Sequence, residues 1–251
     1  MKDTLRQIVV ILAILATIVV NVLANALPIN GLNTGEISDR FQVYFVPAGY
    51  VFSIWGLIYI GLIAYAIYQA LPSQKENPRL RSTGWLVALG GAANSLWIFL
   101  WHYEQFPATL AAMLVLLGSL IGVYLRLGTG ITKVSAGERW TVRVPMSIYL
   151  GWITVATVAN VTSLLDFLNW NGFGIAAEIW MVIILAAVLV IAALMNFTRR
   201  DLAYTAVILW ALAGIALKFP EAGIVTISTW TTIGLVAATF LAAFVFKPTK
   251  A

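Results

Sequence analysis

The chain has 251 residues, of which 61% are hydrophobic and 10% charged, with a mean hydropathy of +0.93. A water-soluble domain carries about a quarter charged residues, so this composition excludes a soluble globule and indicates an integral membrane protein. The net charge of +5 does not imply nucleic acid, because the basic residues stand in short turns between apolar runs; zero cysteines and a single histidine, His102, exclude disulfides, thiolate chemistry and any metal site resting on a histidine pair.

A helix needs about 20 mostly apolar residues to cross a bilayer. Such runs fall near 8–27, 48–70, 84–101, 107–126, 145–165, 174–195, 203–217 and 225–246. They predict an all-α polytopic transmembrane helix bundle of about eight spans, the seventh being the shortest. The connections at 71–75, 128–130, 169–172 and 218–221 carry Pro, Gly, Asn or charge. Numbering the two sides alternately, one collects Lys2, Arg6, Lys75, Arg79, Arg81, Arg126, Lys133, Arg139, Arg143, Arg199, Arg200, Lys247 and Lys250, and the other only Arg40 and Lys218. Thirteen against two is a positive-inside pattern. It predicts a multi-pass protein of the cell membrane with both termini cytoplasmic. The first span has a second reading: Lys2 and Arg6 precede it, and Ala24-Asn25-Ala26 resembles a signal-peptidase site, so cleavage would leave seven spans. The length of its apolar run favours a retained helix.

The longest stretch outside the spans runs from about Pro28 to Pro47 and holds Glu36, Asp39 and Arg40. It is expected to form an outer loop and to act as a lid. The two halves show no internal repeat, so sequence symmetry does not support an inverted-repeat transporter.

Ionisable residues inside a bilayer are functional candidates by default. Here Glu178 lies about one turn into the sixth span, and His102, Glu104 and Asp166 lie at outer span edges. Interfacial solvation is the expectation for all four. Paired carboxylates at catalytic spacing, a Ser/His/Asp set and a phosphate loop are missing, so no catalytic residue, no metal ligand and no required cofactor are identified. Thr226, Ser228, Thr229, Thr231 and Thr232 cluster in the eighth span, where hydroxyls are expected to bond to their own helix backbone.

The ten tryptophans stand out. Trp85, Trp140 and Trp170 sit at span ends, as interfacial anchors do. Others form stripes at helical spacing: Phe52, Trp55 and Tyr59 in the second span; Asn94, Trp97 and Trp101 in the third; Tyr149, Trp152, Ala156 and Asn160 in the fifth. Flat rings beside an amide and a small residue can wall a pocket for a flat apolar molecule. They can equally be helix packing with Asn as interhelical glue, and spacing alone leaves both readings open. Gly90, Gly91 and the Gly118/Gly122 pair permit close helix approach, within the bundle or in a homodimer.

The run from Pro47 through Gly49, Val51, Phe52 and Trp55 to Tyr59 resembles the second helix of the TspO/MBR family, the tryptophan-rich sensory and translocator proteins. Ala93-Asn94-Ser95-Leu96-Trp97-Ile98-Phe99 is similar to the family's third helix, and the run from Pro145 through Trp152 and Ala156 to Asn160 to its fifth. The resemblance covers roughly 8–165. It implies a five-helix bundle with a cavity closed by the first loop, and ligands that are porphyrin-type tetrapyrroles such as protoporphyrin, or other flat apolar molecules. Carried over, Trp55, Asn94, Trp97, Trp152 and Ala156 line that site, with Tyr59 and Asn160 beside them and Tyr149 on the same stripe. Family members usually end after five helices. The chain is therefore expected to divide into a TspO-like domain, 1–168, and a three-helix extension, 169–251. The sterol-recognition pattern after the fifth helix lacks its Tyr and basic residue, so sterol binding is not expected there. Membrane lipid and an apolar small molecule are the implied partners. Beside a binding protein stand a light-dependent protoporphyrin-degrading enzyme, haem ligation through His102, a small-solute transporter using the extra helices, and a scaffold with an unused cavity.

Overall fold

In a computed structural model of the chain, residues 2–27 and 29–245 are described. Pro28, the last residue of the eighth expected span (246), and Lys247 and Lys250 lie outside them. The order is α1 (Lys2–Ala26), α2 (Thr34–Ser38), α3 (Ile54–Ala70), α4 (Pro78–His102), α5 (Phe106–Leu127), α6 (Ala136–Glu138), α7 (Val144–Phe167), α8 (Ala177–Arg199), α9 (Leu202–Lys218) and α10 (Gly223–Val245). Among the described residues there is no strand. Seven helices are long and apolar enough to cross a membrane, and α9, with 17 residues, is a shorter apolar helix. The chain is a polytopic helical bundle.

Local sequence sets the helix ends. Pro78 occupies the first turn of α4, where no N–H is needed. Asn77 and Asp201 cap α4 and α9 by accepting from backbone N–H groups two and three residues on. Gly128 ends α5 in the left-handed conformation, φ 61°. Pro145 has no N–H for the carbonyl one turn earlier, and the helix passes that stretch as a π turn over Arg139–Arg143.

One core runs through the whole bundle, from Val10 of α1 through Ile58, Met146 and Trp152 to Ile208 and Val236. The outer surface is apolar too: Leu12, Ile60, Leu96, Leu125 and Leu194 are exposed, as lipid contact requires. Small residues bring helices close. A Cβ on Gly91 of α4 would lie 3.0 Å from Thr17 Oγ1 of α1, and one on Gly61 of α3 would lie 2.9 Å from Pro145 of α7. The Gly118/Gly122 pair does not act as one surface. Gly122 packs on Leu86 of α4, whereas a Cβ on Gly118 would meet open space.

Buried amides pin the helices to one another. Gln7 and Gln69 exchange side-chain bonds to each other's carbonyls at 2.7 and 3.1 Å, joining α1 to α3. Asn196 donates to Thr239 at 2.9 Å and accepts from Thr205 at 2.5 Å, joining α8, α10 and α9. The hydroxyls of Ser228, Thr229, Thr231 and Thr232 bond to carbonyls within α10, as expected, while Thr226 reaches back to Phe219.

Charges segregate to the two ends. Arg6 bonds to the Lys75 carbonyl, Arg81 to Asp3, Arg79 to Glu138, Arg126 to the Ser82 carbonyl and Arg143 to the Leu127 carbonyl, all at one end. Arg40 pairs with Glu104 and Lys218 with Asp39 at the other.

α9 lies against the start of α3. Gly214 permits this contact, because a Cβ there would overlap Val51 Cγ2 and lie 3.3 Å from Pro47. Gly214→Ala is therefore expected to cost roughly 1–3 kcal/mol by overpacking. Gly118→Ala should be neutral or stabilising, since it adds helix propensity in open space. Thermal unfolding of the two variants in one detergent checks the opposite signs.

Candidate ligand cavity

A cavity of about 760 Å³ opens at the end of the bundle where α1 finishes and α3 begins. Trp55 and Tyr59 of α3, Asn94 and Trp97 of α4, and Trp152 and Ala156 of α7 all line it. These six of the eight expected site residues come together around one space. Tyr149 and Asn160 do not line it and stand one layer behind.

The rings form a continuous wall. Trp55 stacks on Tyr59 at 5.6 Å between centroids and 26° between planes, and meets Trp152 edge-on at 6.3 Å. Phe52 packs edge-on against Trp152 at 5.7 Å, and Tyr149 edge-on behind Trp55 at 6.0 Å. On α4, Trp97 stacks on the buried Trp101 at 5.1 Å and 18°. Edge-to-face and offset pairs of this kind are favourable aromatic geometries, and they fix which faces remain free.

The amides serve as glue and as lining together. Trp97 Nε1 donates to Asn160 Oδ1 at 2.9 Å, and Asn160 Nδ2 donates to Thr109 Oγ1 at 2.9 Å. Asn160 thus sets the plane of Trp97 from outside the cavity. Asn21 Nδ2 donates to Asn94 Oδ1 at 2.6 Å and to the Thr17 carbonyl at 2.8 Å. An amide in hydrocarbon must find such partners inside the protein. Two donors find none: the Trp152 indole N–H and the Tyr149 hydroxyl are buried without a hydrogen-bond partner. A buried unmade bond costs about 1–3 kcal/mol.

The roof is the segment 33–39. Asn33 and Glu36 close a capping box on α2, with Asn33 Oδ1 accepting from the Gly35 and Glu36 amides and Glu36 accepting from the Asn33 amide. Below it, His102 bridges Thr34 Oγ1 and the Ile29 carbonyl, both at 3.1 Å, and Trp101 Nε1 donates to the Thr34 carbonyl at 3.2 Å. Phe41 wedges between Trp101 and Phe106. The C-terminal helices hold the other side. Lys218 pairs with Asp39 at 2.6 Å, Tyr44 donates to Glu178 at 2.9 Å, and the Ala48 amide donates to the Gly214 carbonyl at 3.2 Å. Trp210 Nε1 donates to the Val51 carbonyl at 3.2 Å. The carboxylate of Glu178 accepting from Tyr44 pushes that phenol's ionisation above its ordinary range, so the pair stays a neutral hydroxyl on a carboxylate at physiological pH.

Several expectations are corrected. His102 is not solvated; it is 2% exposed, and both ring nitrogens are engaged by the roof. Glu178, Glu104 and Asp166 do stand at the bundle's edge, Glu178 as the second residue of α8 and the other two bound to loop groups, the Arg40 guanidinium and the Gln42 amide. Trp85 and Trp140 are 54% and 65% exposed, as anchors are, but Trp170 packs on Trp180 at 5.0 Å and lines a separate cavity of about 440 Å³ between α7 and α8. Lining residues that the stripes did not single out are Asn21 and Asn25 of α1 and Asn33, Glu36 and Asp39 of the roof. The i, i+4 spacing of Asn21 and Asn25 in an apolar helix was a readable signal. The roof residues carry no periodic pattern, so nothing local marked them.

The sequence model described as TSPO-like protein matches residues 7–246. The match begins a few residues into α1 and continues through α8, α9 and α10, so the C-terminal helices fall within the family's pattern. No curated protein and no solved structure matches the chain.

His102→Leu would strip the Thr34 hydroxyl and the Ile29 carbonyl of their partner. The expected cost is about 1–3 kcal/mol in stability, with faster proteolytic cutting between residues 29 and 41. Mass spectrometry of a limited digest measures the second effect. His102→Gln, which keeps a donor and an acceptor, should be milder in both.

Proposed function

The chain belongs to the TSPO-like protein family, and on that premise we propose that it binds porphyrin-type tetrapyrroles, or other flat apolar molecules, in the cavity beneath the 33–39 roof. One observation carries this reading: three indoles from three helices, Trp55, Trp97 and Trp152, border a single space of about 760 Å³. Small-molecule sites commonly enclose about 300–1,000 Å³, mostly apolar with a few placed polar groups. A planar aromatic guest stacks on such rings and leaves water readily. Tyr59 extends the wall, Ala156 leaves room beside Trp152, and Asn94 offers a polar contact. Tyr149 and Asn160 act from behind, Tyr149 backing Trp55 and Asn160 orienting Trp97. A free-base porphyrin needs no metal ligand, which suits a site whose neighbouring histidine has both nitrogens occupied.

The role is that of a receptor or carrier in the membrane. The carboxylates that line the cavity, Glu36 and Asp39, belong to the roof, and each already has a partner. That arrangement supports binding over proton-transfer catalysis. On this reading the five-helix part of the chain is the ligand-binding unit, and α8 and α9 brace its roof through Glu178, Trp210, Gly214 and Lys218. The segregation of basic residues to the end holding the chain's N-terminus supports a cytoplasmic placement of both termini and an outward-facing cavity mouth.

Titration of the purified protein with protoporphyrin, followed by tryptophan fluorescence, tests the site. Quenching is expected to saturate. Replacing both Trp55 and Trp152 by Phe should weaken binding about tenfold, since each aromatic contact is worth roughly 0.5–1.5 kcal/mol. An unchanged affinity in that double variant would remove the site from this cavity. The rim makes a finer prediction. Glu36 repels an anionic guest, so Glu36→Gln should strengthen protoporphyrin binding at low salt and leave its dimethyl ester unaffected, a difference that 1 M salt should erase.

A further inference from the structure

At the opposite, basic end of the bundle lies a second large cavity of about 800 Å³, formed by the α5–α6 loop, the π turn before α7, the α8–α9 turn and the last turns of α10. Lys133, Arg139, Arg143, Arg199 and Arg200 line it, against one carboxylate, Asp201. None of these five cations forms a salt bridge among the described residues. Asp201 is already spent on neutral donors. It accepts from Tyr124 at 2.9 Å, from Ser147 at 2.5 Å, and from the Ala203 and Tyr204 amides that it caps.

The guanidiniums are held in place but not neutralised. Arg143 is 5% exposed, and its Nη atoms bond only to the Leu127 carbonyl and to Thr132. Arg199 bonds to the Thr129 carbonyl, and Arg200 Nε to the Ala243 carbonyl at 2.7 Å. Three buried polar atoms on the cavity's residues have no hydrogen-bond partner among the described residues: Arg143 Nε, Arg200 Nη2 and Thr129 Oγ1. Arg200 is also held at φ 51°, a conformation disfavoured for a side chain of its kind, at the turn that presents it. Burying the Arg143 charge without a counter-charge is costly, and Arg199, Arg200 and the exposed Lys133 and Arg139 add positive charge around the same cavity, which makes it a candidate anion site. Arginine forks match phosphate oxygens. The rest of the wall is apolar, with Trp140, Phe240 and Phe244 beside the charges. That combination matches a phosphate attached to acyl chains, and basic pockets between membrane helices are known to take anionic headgroups.

We propose that this cavity binds a phosphate group, that of an anionic phospholipid whose chains lie along Trp140, Phe240 and Phe244. It is separate from the tryptophan-lined cavity and does not depend on what occupies that one.

The test uses the full-length protein purified in a neutral detergent, with thermal unfolding as the readout. Phosphatidylglycerol added to the micelles should raise the midpoint by about 2–4 °C or more over an equal amount of phosphatidylcholine. Inorganic phosphate, compared with chloride at equal ionic strength, distinguishes the source: a response to it matching that of the lipid assigns a soluble phosphate instead of a headgroup. Arg139→Gln with Arg200→Gln should remove most of the shift, and Arg126→Gln, an exposed cation at the same end but outside the cavity, should keep it. If the double variant does not fold, the exposed Lys133→Gln is read instead and should reduce the shift. Equal midpoints with the two lipids and no phosphate response overturn the proposal. So does a shift that falls as much in Arg126→Gln as in the cavity variants, since that is only attraction to a charged surface.

Discussion

A polar group inside hydrocarbon has no water to turn to, and this single constraint organises the bundle. Four asparagines buried in the spans are bound to another helix. Asn21 meets Asn94, Asn160 meets both Trp97 and Thr109, and Asn196 joins Thr205 and Thr239. Each bond fixes how two helices are rotated about their own axes. Once α1, α4 and α7 are turned to satisfy these amides, the indoles one turn away point toward a common space. The cavity follows from the hydrogen-bonding requirement: the same residues that hold the helices together keep the rings from filling the gap between them.

The connector between α1 and α3 faces the same constraint in a harder form. Its short helical pieces leave many backbone groups without regular partners. Several are met from two sides, by His102 and Trp101 of α4 and by Gly214 and Trp210 of α9, while Glu178 of α8 holds the Tyr44 side chain. This gives the C-terminal helices a physical role that their apolar sequences do not announce. α9, with 17 residues, packs against α7 and α10, and its last residue, Lys218, ends at the roof.

The two ends of the bundle differ in how charge is handled. At the roof, Arg40 and Lys218 are each matched by a carboxylate. At the other end, Asp3 and Glu138 satisfy Arg81 and Arg79, Arg6, Arg126, Arg143, Arg199 and Arg200 rest on carbonyl oxygens, and Arg139 lies over the Trp140 ring. Carbonyls orient an arginine without cancelling its charge. The field at that end is therefore positive over a broad, partly apolar surface, the property that topology signals and anion recognition share.

The sequence by itself determined the membrane class, the place and order of the long apolar helices, the segregation of basic residues and six of the side chains that border the cavity. These are readable because they rest on composition and on helical period, both local properties: Phe52, Trp55 and Tyr59 share a face wherever the helix sits. Tertiary structure decided the rest. It placed Asn160 behind Trp97 instead of beside a guest, made His102 a strut of the roof, moved Trp170 to another cavity and brought Lys218 to Asp39 across most of the chain. It also has Asn21 and Asn94 join two helices and line the cavity at once. A stripe on one helix records which residues point the same way; what stands opposite depends on the rotation and distance of a different helix, and no local pattern carries that information.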